Sequence, residues 1–140
     1  MLTLEQARER IELIAGKDGR YDPAAFFFVN DSVAAALKWL KSGEMRANDS
    51  APSRGGGEDF HISCRELLEA MRRLARERWG CLARQVLENW GVASTGDVGE
   101  IVFMMVDDEK LEWRRRKSDT KEEFRDVYDF KAVFDVWGGD

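Results

Sequence analysis

From Ser63 to Val106 the apolar residues of this chain recur at helical spacing, punctuated by glycine. Ser63 with Glu66 three residues on is a capping-box pattern, in which each side chain serves the other's backbone N–H at a helix start. Leu67, Met71, Leu74, Ala75, Trp79, Leu82, Val86 and Trp90 then keep phase with a 3.6-residue turn. One helix from Ser63 to Trp90 would run about 42 Å, too long for a domain of this size. Gly80 is therefore read as a break and Gly91 as a stop, giving helices over 63–79 and 81–90. Thr95 opens the next helix, with Asp97 and Glu100 in the first turn, where the helix dipole favours acids. Val98, Ile101, Val102, Met105 and Val106 follow at i, i+3, i+4, i+7 and i+8. The run IVFMMV (101–106) also fits a buried strand, but its spacing favours a helix.

The flanks read the same way. Thr3 and Gln6 form another capping pattern, and Leu4, Ala7, Ile11, Ile14 and Ala15 share a face before Gly16 supplies a stop. Asp22-Pro23 is a cap followed by a proline that has no N–H to leave unpaired. The helix it starts, about Pro23 to Lys41, carries Phe26, Phe27, Val29, Val33, Ala36, Leu37 and Leu40 in a broad apolar band. Residues 42–59 are poor in apolar side chains and rich in glycine and serine, and read as a flexible surface loop. Its GGGED is no phosphate loop, since no Lys-Ser/Thr follows the glycines. Leu111–Arg116 alternates weakly and pairs with Phe60–Ile62 if a β-ribbon forms. Thr120 with Glu123 opens a helix bearing Phe124, Val127 and Tyr128, and the tail continues with Phe130, Val133, Phe134 and Trp137.

At 140 residues this is one domain, able to bury roughly two-thirds of its unfolded surface without metal or disulfide. A hydrophobic fraction of 44% beside 35% charged residues is globular, not disordered. The net charge of −5 disfavours a dedicated nucleic-acid binder. Charge is unevenly placed: residues 61–95 hold six Arg against four Glu, while 96–140 hold thirteen acids against eight bases. No signal peptide is read at the N-terminus, and the two cysteines then point to a reducing cytoplasm. The longest apolar runs, such as Ala24–Val29, cannot span a bilayer.

Few residues carry chemistry. His61 is the lone histidine, and Cys64 follows three residues later in a first helical turn, where the dipole can activate a thiol. A passive cysteine beside a helix entry is the simpler account. A zinc site would need two more ligands, with only Cys81 or carboxylates left to supply them. Asp107-Asp108-Glu109 with Asp97 and Glu100 lacks calcium-loop spacing and reads as a solvated helix end. The cationic run Arg114-Arg115-Arg116-Lys117 beside Trp113 offers phosphate contact and a stacking platform, offset by Glu109, Glu112 and Asp119. Arg72, Arg73, Arg76 and Arg84 add a second basic face. Trp113 and Trp137 stand in charged or terminal surroundings and suit an exposed aromatic anchor.

The chain resembles a family of small soluble proteins of planctomycete and verrucomicrobial bacteria. The resemblance rests on YDPAAFFFV (21–29), His61-Ile62-Ser63 with Glu66-Leu67-Leu68, Trp90-Gly91-Val92, and Thr95 with Asp97. It continues through Gly99–Phe103 and Asp126–Phe130, covering most of the chain outside 42–59. It carries no activity, ligand or catalytic residue with it.

The expectation is a mainly α single domain, residues 1–140, a bundle of about five to seven helices, with α+β as the alternative class. The expected role is a non-enzymatic cytoplasmic interaction or adaptor module with a protein partner, a second copy included, and no cofactor, metal or membrane. Its expected surface is Trp113, Arg114, Arg115, Arg116 and Trp137. The alternatives are a nucleic-acid- or ribosome-associated factor using 114–117, and then a thiol enzyme using Cys64 and His61.

Overall fold

The computed structural model describes residues 3–45, 62–107 and 124–134. Among these the regular elements are all helical: α1 (Leu4–Asp18), α2 (Pro23–Ser42), α3 (Cys64–Trp79), a 3-10 turn (Gly80–Leu82), α4 (Ala83–Asn89), α5 (Thr95–Val106) and α6 (Phe130–Phe134). The protein is mainly α, and 101–106 is helix. The β-ribbon falls outside the described residues except for Ile62, which lies in no strand.

Short-range chemistry explains most helix ends. The Thr3 hydroxyl accepts from the Gln6 N–H at 3.1 Å, and Gln6 Oε1 accepts from the Thr3 N–H at 3.0 Å. Asp22 accepts from the Ala24 N–H at 2.9 Å, with Pro23 as first helical residue. Ser63 and Glu66 form the second box, at 3.1 and 2.9 Å. Three boundaries differ from expectation. Gly16 does not stop α1, because the left-handed conformation that closes a helix is taken by Gly19 (φ 77°), whose N–H donates to the Ala15 carbonyl. Ser94, one residue before Thr95, caps α5, its hydroxyl accepting from the Asp97 N–H.

The third difference lies at residues 124–128. Phe124 is in 3-10 conformation and residues 125–127 form a turn, so the helix read from Thr120 does not run on through Val127 and Tyr128; residues 120–123 lie outside the described set. Asp126 adopts φ 51°, which ends any right-handed run, and the Val127 N–H donates to the buried Thr95 hydroxyl at 3.2 Å. A tertiary partner has replaced the intrahelical carbonyl.

Helix α2 is the centre of the bundle, packing on α3, α1 and α5. Its Phe26 is fully buried and Ala25, Phe28 and Val29 nearly so, in one cluster with Leu68, Met71, Ala75, Val98, Ile101 and Met105. Ser32, also buried, donates its hydroxyl to the Phe28 carbonyl at 2.9 Å. Phe124 packs closely against Gly99, where an added Cβ would come within 2.7 Å of Phe124 Cβ. Two stripe residues are not core: Leu4 and Leu82 are 81% and 57% exposed. Leu4 is the first residue of α1. Leu82 sits in the 3-10 turn, whose three-residue period rotates it off the α3 stripe. At the start of the 42–59 segment, Ser42 ends α2 and Gly43 caps it. The Met45 N–H then donates to the Trp39 carbonyl, tucking Met45 against Ala36 and Ala70; residues 46–59 lie outside the described set.

The chain's two tyrosines join distant elements. Tyr21 donates to Asp97 Oδ1 at 2.6 Å, while Asp97 Oδ2 accepts from the Ala93 N–H at 2.9 Å. Tyr128 donates to the Leu68 carbonyl at 2.9 Å. Burial, then the bond to Asp97, raises the Tyr21 phenol well above its usual range. Burial does the same for Tyr128, with the Glu69 carboxylate adding to it. A phenol held above its unfolded value stabilises the fold fully below about pH 10, and that contribution drains away as pH rises past it. Absorbance at 295 nm should therefore show no phenolate near pH 10. It should rise only at higher pH, together with loss of helical circular dichroism. A folded chain titrating one tyrosine near pH 10 would contradict these contacts.

Candidate interaction surface

Three hollows among the described residues are open to solvent. Two are clefts of about 370 Å³ and the third measures about 210 Å³. The smallest is lined by Ser94, Thr95, Asp126, Tyr128 and Asp129; of these Thr95 seats the Val127 turn, Ser94 caps α5 and Tyr128 is bonded to Leu68. In the cleft of Arg65, Glu66, Glu69 and Tyr128 beside Met45, the last three of the four are likewise committed. Glu66 caps α3, Tyr128 holds Leu68, and Glu69 takes Arg72 at 2.8 Å and Arg73 at 2.7 Å. Burial opposes ionisation of Glu69, but the two guanidiniums outweigh it and hold the carboxyl below its usual range.

The remaining cleft differs in kind. It runs between α1 and the C-terminal end of α5, floored by Ile14 and Met104 and edged by Arg10, Lys17, Asp18 and Asp107. Leu13 also lines it, and is 46% exposed. An apolar strip with a mixed-charge rim is the composition of a small contact surface. Its sequence signal is Leu13, an apolar side chain off the Ile11–Ala15 face of α1.

The other candidate residues are placed as follows. Cys64 is the first residue of α3, half-buried, and Cys81 lies in the 3-10 turn; neither is in a disulfide. The intervening helix separates them by roughly 24 Å, which excludes a disulfide and a shared metal. Among the described residues no group of three His, Cys, Asp or Glu could hold a metal ion. Asp97 and Asp107 sit at opposite ends of α5, Asp97 bound to Tyr21 and Glu100 ion-paired to Arg20 at 3.6 Å. Asp97 and Glu100 are thus each engaged within the fold, and Asp107 stands apart from them at the exposed end of α5, as a solvated helix end would. On the second basic face, Arg72 and Arg73 share Glu69, and Arg84 pairs with Glu88 at 3.1 Å, so acids of the same helices offset part of its charge. His61, Asp108, Glu109, Trp113, Arg114, Arg115, Arg116, Lys117 and Trp137 lie outside the described residues.

Phe28, Trp79 and Trp90 meet with ring centroids 5.0, 6.0 and 5.4 Å apart. That spacing is mutual van der Waals packing and leaves no room for a ligand cation between the rings. Among the described residues no helix is long and apolar enough to cross a membrane.

Comparison with known proteins returns no matching family model, no matching curated protein and no matching solved structure.

Proposed function

We propose that this chain is a non-enzymatic protein-interaction module of a reducing, cytoplasmic compartment, working through the α1–α5 groove. The observation that carries the reading is Leu13, left half in solvent above an apolar floor of Ile14 and Met104 with both charge signs on the rim. Water-exposed leucine in such a strip gains free energy only when a second surface covers it. Supporting it, Glu66, Glu69 and Tyr128 of the other two clefts are engaged in a cap, ion pairs and a backbone bond that hold the fold. The separation of Cys64 from Cys81 along α3, too great for a disulfide, fits a reducing environment.

The test is a photo-crosslinking residue in place of Leu13, irradiated in the native cell, with one at exposed Glu77 as control. Adducts specific to position 13 are expected, and Arg10→Glu should reduce them at least about fivefold by altering the rim. Equal labelling from both positions, or none, would overturn the assignment.

A further inference from the structure

We propose that the occupant of this face is a second copy of the chain, with α1 pairing antiparallel to its symmetry mate about a two-fold axis through Leu13. The inference rests on the interaction reading above and names its partner.

At about 100° per residue, Glu9, Leu13, Gly16 and Lys17 fall in one sector of α1, opposite Ile11 and Ala15. All four are exposed, whereas Ile11 and Ala15 are buried. A two-fold axis through Leu13 sets positions equally spaced before and after it against each other. Glu9, four before, then meets Lys17 of the second copy, four after, and symmetry repeats the pair. Arg10, three before, meets Gly16 of the second copy, three after. The two Leu13 side chains cover one another at the centre.

Gly16 fits this arrangement, and no contact among the described residues accounts for it. It sits within α1, has no neighbour within 4 Å of an added Cβ, and does not need a left-handed backbone. Glycine at such a place weakens a helix, but it lets the aliphatic arm of Arg10 lie close across the partner helix. The charge order also selects direction. Antiparallel pairing sets Glu9 against Lys17 twice, while parallel pairing would set Glu9 on Glu9 and Lys17 on Lys17. One helix face is small beside a stable dimer interface, so the association is weak and salt-sensitive.

Sedimentation velocity at low salt, with loading raised to about 1 mM, reads it directly. Wild type should shift toward dimer with concentration. Glu9→Lys or Lys17→Glu, each turning both ion pairs into like-charge pairs, should weaken association about tenfold or more. The double reversal Glu9→Lys with Lys17→Glu should restore it to within about threefold. These side chains are exposed, and helical circular dichroism verifies that each variant is folded. A chain monomeric throughout, or a double reversal no better than the singles, overturns the second-copy occupant. If position 13 still crosslinks specifically to another protein, the interaction reading stands alone; a monomer with no specific adduct removes both.

Discussion

Gly91→Ala is expected to destabilise the protein by about 3 kcal/mol, lowering the urea midpoint by roughly 1–2 M. Gly91 closes α4 in a Schellman turn, its N–H donating to Glu88 and that of Val92 to Leu87, each at 2.9 Å. Its φ is 93°, where any Cβ is strained. The larger difficulty is outside the turn. A Cβ here would stand 2.5 Å from the Arg20 carbonyl oxygen and 3.3 Å from Tyr21 Cδ1. The first is a backbone atom and cannot swing aside. Relief would shift the 20–22 segment, where the Asp22 N–H donates to the Trp90 carbonyl at 3.0 Å and Tyr21 reaches Asp97. A loss under about 1 kcal/mol would show that this crossing is looser than its geometry.

The second large effect is in the core. Phe26→Ala should cost about 3–5 kcal/mol, because it deletes a fully buried ring and leaves a cavity the bundle closes only in part. Phe26 also meets Tyr21 edge-on at 6.5 Å, so part of the loss is an aromatic contact. The adjacent Phe27 is a built-in comparison. It is only half-buried, under the Arg8 guanidinium at 5.7 Å, and Phe27→Ala should cost less than half as much. Equal losses at the two positions would refute the placement of Phe26 at the centre. Against a total stability of 5–15 kcal/mol for domains of this kind, about, either large variant approaches the unfolding threshold at elevated temperature.

The parts of the fold legible in advance are the local ones. Thr3 with Gln6, Asp22 with Pro23, and Ser63 with Glu66 start helices where their side chains reach a backbone N–H within one turn. Gly80 breaks the long central pattern for an equally local reason, its φ of 56°. Reading failed where two local solutions competed. Gly16 and Gly19 both offer a stop, and only the observed left-handed φ of Gly19 separates them. The pattern at 120–128 was consistent with a helix, yet its Val127 N–H is claimed by Thr95, 32 residues away in sequence.

The candidate face was less legible than the fold. The surface expected from aromatic and cationic residues, Trp113 to Arg116 with Trp137, lies outside the described residues. The groove at α1 depends on Met104 and Asp107 reaching the Leu13 side of the bundle. No spacing within either helix announces that meeting.

By itself the sequence determined the helical class, most helix starts and the apolar residues that fill the centre, since capping and periodicity act within a few residues. Tertiary structure alone decided which glycines must stay glycine, where the two tyrosines are bonded, and that Leu13 is left over beside Met104. Those outcomes depend on how close two distant backbones come. That distance is set by the packing of α1, α2 and α5 together, and no single segment encodes it.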